Sequence, residues 1–149
     1  VSELLIVLLL SLVPTFEARY AIPAALALTD LSPIPVFALC VGLNLLVIPA
    51  VFAGLNWLAP PFRRRYRWIN SIFMWFWKRG HGRRWSFPAL VAFVATPVPG
   101  TGAYTGALMA YLFGLDRKPA AVAIVIGVVL GAALTTLIAL GVISLAKIL

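Results

Sequence analysis

An acid and a base two residues apart in an apolar segment, Glu17 and Arg19, mark the first place where this sequence could do chemistry. They lie in Pro14-Thr15-Phe16-Glu17-Ala18-Arg19-Tyr20-Ala21-Ile22-Pro23. At mid-membrane each charge costs about 2.5–3.5 kcal/mol on insertion scales, so a sequence that keeps both is using them. Glu17 is expected to exchange protons, and Arg19 to hold an anion or the carboxylate itself. Burial disfavours a carboxylate and a neighbouring guanidinium favours it, so the protonation state of Glu17 is tunable. The plainer alternative is a structural pair, or an interfacial loop in which both charges reach water.

The second place is Pro97-Val98-Pro99-Gly100-Thr101-Gly102, a break in an apolar stretch followed by a new helix. Free N–H groups and the dipole at a helix start attract an anion, so this turn is expected to line a substrate path. Together with Glu17, Arg19 and Pro23, residues Pro97, Pro99, Gly100, Thr101, Gly102 and Gly106 form the candidate proton and substrate site. Gly102/Gly106 and Gly127/Gly131 are small-xxx-small pairs, which mean close helix packing more often than ligand contact. The Gly127/Gly131 face is a candidate homodimer interface. Asn44 and Asn56 could line a pathway but are expected to bond between helices or cap at the interface, and Asp30 and Asp116 to cap helix starts.

Other chemistry finds no residues. One cysteine, Cys40, excludes a disulfide framework and a multi-cysteine zinc site, and one histidine, His81, leaves histidine catalysis without a second imidazole. With no Ser/His/Asp set or metal constellation, the chain is expected to be neither an enzyme nor a cofactor or metal protein.

The elements that hold these residues must live in lipid. Of 149 residues, 63% are hydrophobic and 11% charged, and the mean hydropathy is +1.06. A soluble domain has roughly half apolar and about a quarter charged residues. The net charge of +8 therefore points to a membrane surface and not to nucleic acid. Ile34 to Leu58 and Ala120 to Ala146 are uncharged and long enough to cross a bilayer, which takes about 20 apolar residues. Residues 1–29 and 86–114 are instead broken, at Pro14 and at Thr96 to Gly102, into arms of only ~15–19 Å as helix. Such arms describe re-entrant hairpins, tolerated at membrane depth where protein or a wet cavity satisfies their backbone. The first segment lacks a basic n-region and a small-x-small cleavage site, so it is expected to be part of the mature fold.

Between the halves, residues 59–85 carry eight of the twelve basic residues and, with Trp57 beside them, all five tryptophans. The positive-inside rule makes this linker cytoplasmic. Trp68, Ile72, Trp75 and Phe76 recur at helical spacing, which predicts an amphipathic interfacial helix over Trp68 to Lys78. Arg63, Arg64, Arg65 and Arg67 are expected to contact anionic lipid.

One membrane domain follows, 1–149, with a first repeat at 1–58 and a second at 86–149. Its fold class is an all-α integral membrane protein, an inverted repeat of re-entrant helical hairpin plus transmembrane helix. Asp30-Leu31-Ser32-Pro33 and Asp116-Arg117-Lys118-Pro119 echo one another directly before each span. Inverted repeats with broken helices near the midplane recur in secondary transporters.

At the two motifs the chain resembles the small multidrug export protein family. The first family motif, Glu-Leu-Arg-Gly-Ala-Ile-Pro, is matched by Glu17, Arg19, Ala21, Ile22 and Pro23. The second, Pro-x-Pro-Gly-Thr-Gly-Ala-Trp-Thr-Gly-Ala-Leu, is matched by Pro97, Pro99, Gly100, Thr101, Gly102, Ala103, Thr105, Gly106, Ala107 and Leu108, while Ala18, Tyr20 and Tyr104 depart from the pattern. The family is distantly similar to the DedA membrane proteins. That resemblance implies paired re-entrant hairpins with acidic and Arg residues inside, and an association with lipid-phosphate translocation and proton-dependent membrane homeostasis. The expected function is a small, proton-coupled secondary transporter of an amphiphilic substrate, a lipid phosphate or a drug, in the cytoplasmic membrane of a prokaryote. The alternative is a scaffold or assembly factor that binds anionic lipid or a partner through the Trp-rich basic helix.

Overall fold

The computed structural model describes residues 2–13, 16–80 and 86–148, and among these every regular element is a helix. Pro14, His81, Arg83, Arg84 and Trp85 lie outside the described residues. Two short helices, α1 (Ser2–Leu12) and α2 (Glu17–Leu28), precede the long α3 (Pro33–Arg65). After α4 (Arg67–Gly80) the pattern returns as α5 (Ser86–Ala95), α6 (Ala103–Leu112) and the long α7 (Arg117–Ile148). The short helices have 10 to 12 residues, a rise of about 15–18 Å, or half of a ~30 Å hydrocarbon core.

α3 and α7, with 33 and 32 residues, are long and apolar enough to cross a membrane. Only 33% and 39% of their most apolar stretches are buried within the protein. The rest is apolar surface that hydrocarbon solvates and water does not. α3 overruns the span expected at 34–58 and continues through Pro60 and Pro61 to Arg65. Pro33 starts it with a φ already suited to a helix, and Arg63, Arg64 and Arg65 close it at the negative end of its dipole. Asp30 does not cap it: the N-cap is Ser32, with no side-chain hydrogen bond.

α1 packs on α2 and α3, and α5 packs on α6 and α7. α2 also crosses to α7, α6 crosses to α3, and the two long helices pack on each other. Small residues permit these crossings. α2 buries Ala18, Ala21, Ile22 and Ala25, while α6 buries Ala103, Gly106, Ala107 and Ala110 at the same spacing. Such seams let backbones approach closely where lipid removes the usual hydrophobic drive between helices.

Val94 of α5 is fully buried and fills two glycine hollows at once. A Cβ on Gly106 would stand 2.5 Å from its Cγ2, and a Cβ on Gly127 would stand 2.6 Å from its Cβ. Gly131 faces Arg19 and the Ala95 carbonyl. The Gly127/Gly131 face expected at a dimer interface is thus taken up inside the chain, because α5 and α2 need it to reach α7.

The helix expected over Trp68 to Lys78 is α4, and it buries one side within the protein. Phe73 is the buried residue, 5.5 Å from the Tyr111 ring, with Phe76 5.6 Å from Phe113. Trp77 lies over Gly114, whose φ of 64° and missing Cβ make room for the indole. Trp68, Ile72 and Trp75 are exposed. α4 has aromatic residues on two sides, and the side that meets α6 wins the burial.

Gly106→Ala is expected to destabilise the protein by about 1–3 kcal/mol through overpacking. Adding Val94→Ala, which removes the crowded methyl, should restore part of that loss in reversible unfolding in bicelles. A double variant as unstable as the sum of its parts would disprove the fit.

Candidate functional site

The tip of the first hairpin is a turn in which the Val13 carbonyl accepts the N–H groups of Phe16 at 3.1 Å and Glu17 at 2.9 Å. Glu17 begins α2 with φ at 49°, in the left-handed region. A non-glycine residue there costs of order 1–3 kcal/mol and persists where its surroundings hold it. The surroundings are the start of α6. Ala103 N–H donates to Oε2 at 3.1 Å and Tyr104 N–H donates to Oε1 at 3.4 Å. These belong to the first turn of a helix, where N–H groups have no acceptor of their own and the dipole favours negative charge. Only 4% of Glu17 is exposed.

Gly102, the N-cap of α6, has no side chain to cap with. The carboxylate from the other hairpin takes that role, and a Cβ on Gly102 would overlap it. Two residues on, Arg19 is 3% exposed and serves the other polarity of the same break. It donates to the Thr96 carbonyl, to Thr101 Oγ1 at 3.0 Å and to the Thr101 carbonyl at 3.3 Å. The Thr101 hydroxyl lies 2.7 Å from the Thr96 carbonyl and 2.9 Å from that of Val98, either of which can accept its proton. Arg19 lies against α7, where a Cβ on Gly131 would be 3.0 Å from its Nε.

Asn44 and Tyr104 complete the surroundings. Asn44, 1% exposed in the middle of α3, turns its amide toward Glu17, and its Oδ1 has no hydrogen-bond partner among the described residues. The Tyr104 hydroxyl donates to the Leu12 carbonyl and ties α6 to the end of α1. Burial penalises the carboxylate, whereas the two N–H donors, Arg19 and Asn44 stabilise it.

Of the residues picked out from sequence, Glu17, Arg19, Thr101 and Gly102 converge. Their partners, however, are each other: the helix start expected to receive a substrate anion receives Glu17, and Arg19 grips the opposing loop. Pro97, Pro99 and Gly100 are exposed on that loop. Gly106 sits in the α5 packing hollow, away from the polar cluster, and Pro23 is half-buried within α2. Arg63 donates to Asn70 Oδ1 and lies over the Phe73 ring, while Arg64, Arg65 and Arg67 are exposed. Sequence reasoning missed Thr96, Tyr104 and Gly131 as site residues and favoured an interhelical bond or an interfacial cap over a pathway role for Asn44. Two signals were available: Asn44 is a polar residue in an uncharged span, and Thr96 opens the break. Tyr104 and Gly131 carry no signal of their own. Among the described residues no group of three His, Cys, Asp or Glu could hold a metal.

A family model described as "Putative small multi-drug export protein" matches residues 17–134, from Glu17 through both hairpin tips and into α7. No curated protein and no solved structure matches.

Removing the carboxylate strands two N–H donors in an apolar interior. Glu17→Ala is therefore expected to lower stability by about 2–4 kcal/mol, and Gly102→Ala to do the same by displacing the carboxylate. Since both break one contact, the double variant should lose little more than either alone in bicelle unfolding. Additive losses would separate Gly102 from Glu17.

Proposed function

The chain belongs to the family of small multi-drug export proteins, and from that premise and the geometry above we propose that it is a secondary transporter of an amphiphilic substrate. The observation that carries this reading is the Glu17 carboxylate on the α6 N-terminus, an ionisable group at the contact between two hairpins. Protonation of Glu17 removes the charge that the helix start attracts. The hairpins then separate, and the same N–H groups accept the anionic group of a substrate. Deprotonation returns the carboxylate and expels that group, which couples a proton to each transfer. Arg19 holds the loop at Thr96 and Thr101 and contributes the second anion contact when the tip opens. A lipid phosphate, with one anionic group and an apolar body, fits this exchange and agrees with the DedA resemblance.

The proposed architecture is an inverted repeat with re-entrant hairpins. Its support is the matched helix lengths, the reciprocal packing of α2 on α7 and α6 on α3, and the common seam register. A shift of 85 residues carries Glu17, Ala18, Ala21, Ile22 and Ala25 onto Gly102, Ala103, Gly106, Ala107 and Ala110. The basic linker after α3 faces the cytoplasm of a prokaryote by the positive-inside rule. Two spans and two hairpins are few to enclose a hydrated path, which favours a homodimer whose interface lies away from the occupied Gly127/Gly131 face.

A scaffold or assembly role is the second reading, favoured by the exposed Trp68, Ile72 and Trp75 on α4. It requires that α4 be essential and that Glu17 and Arg19 be replaceable.

In proteoliposomes, a fluorescent polyprenyl-phosphate analogue should cross faster with a pH gradient than without one, and Glu17→Gln and Arg19→Ala should reduce it to the protein-free rate. Movement of a lipophilic cation instead would select the drug class. If neither probe outruns protein-free vesicles, the transporter reading fails and the scaffold stands.

A further inference from the structure

A cleft of about 420 Å³ opens between the end of α3, the outer side of α4 and the C-terminal half of α6, away from the Glu17 cluster. This volume lies in the range of small-ligand sites, about 300–1,000 Å³. Its wall is apolar, built by Leu58, Phe62, Ile72, Leu108 and their neighbours, and Arg63 borders it through its aliphatic stem, with the guanidinium at the rim. Leu58, Phe62, Ile72 and Leu108 are exposed, and in a membrane protein such a surface is covered by hydrocarbon.

Arg63 decides which hydrocarbon. Its Nε and Nη2 donate to Asn70 Oδ1 at 3.2 and 3.1 Å, and its guanidinium lies 3.5 Å above the Phe73 ring centre. These contacts orient the cation, yet a neutral amide and a ring face leave its charge uncancelled. Arg64, Arg65 and Arg67 are exposed beside it, and between Asp30 and Asp116 the sequence has no acidic residue. Two of the five guanidinium N–H donors are used by Asn70, which leaves the others for an acceptor.

We propose that this cleft is a binding site for one anionic phospholipid, with an acyl chain along Leu58, Ile72 and Leu108 and its phosphate on Arg63. The site exists whether or not the chain transports anything, so lipid retention and transport can fail separately.

Native mass spectrometry of the full chain in detergent, titrated with phosphatidylglycerol and with phosphatidylcholine of identical chains, tests it. One phosphatidylglycerol should be retained per chain in preference to phosphatidylcholine. Arg63→Gln should reduce that preference about fivefold, the worth of one cation near a lipid surface. Since Arg63 also fastens α4 to α3, Ile72→Trp provides the second variant: it fills the cleft from an exposed position, and it should lower retention of both lipids with unchanged circular dichroism. Equal retention of the two lipids, or undiminished binding by Ile72→Trp, would overturn the proposal. So would displacement by glycerol phosphate at the concentration of the lipid, because a headgroup alone would then suffice.

Discussion

A broken helix in hydrocarbon leaves N–H groups on one side of the break and carbonyls on the other, with no water to satisfy either. The second hairpin is broken at Thr96 to Gly102, and the first hairpin answers both halves of the break from a single turn of α2. Glu17 accepts from Ala103 and Tyr104, and Arg19 donates to the carbonyls of Thr96 and Thr101. The acid and the base stand two residues apart because the two ends of the break are near each other. The remaining packing follows from bringing these tips together. α2 must lie on α7 and α6 on α3, and small residues must fill the crossings.

This interaction explains why a strained backbone is kept at the acid. The positive φ of Glu17 costs free energy that a conventional helix start would avoid. What it gains is direction, since the chain leaves the Val13 turn and enters α2 with its carboxylate already facing the other hairpin. Two charge-assisted hydrogen bonds, each worth about 1.5–3 kcal/mol net, offset a cost of that size. A carboxylate that lost its charge would keep the strain and lose most of the compensation.

Much of the architecture was legible because composition and breaks are local properties. Two uncharged stretches gave α3 and α7, the Pro/Gly run at Thr96 to Gly102 separated α5 from α6, and helical spacing located α4. The motifs also led to four residues that meet, Glu17, Arg19, Thr101 and Gly102. What could not be read was pairing. A helix start attracts an anion, but only the fold reveals that the anion is supplied by residue 17 of the same chain. For the same reason Gly127 and Gly131 read as a helix-packing pair and a candidate dimer face, but not as the hollows that Val94 and Arg19 of the same chain fill. On α4, sequence periodicity located the interfacial stripe but not the burial of Phe73, since packing of the helix against Tyr111 and Phe113 is a non-local fact.

The relation between Glu17 and Gly102 has a further consequence on the proposed two-fold arrangement. The shared seam register makes these two positions equivalent, and equivalent positions near a two-fold axis face one another. There is room for one side chain between the tips: a Cβ on Gly102 would already overlap the Glu17 carboxylate. A symmetric pair of acids is thereby excluded by space, and it would also place two like charges in one apolar site. The repeat can be regular in its helices only by being unequal at its centre, with a carboxylate on one side and bare backbone on the other. In the proposed mechanism one ionisable acid then acts on both hairpins, and transport through their separation would be tied to a single proton.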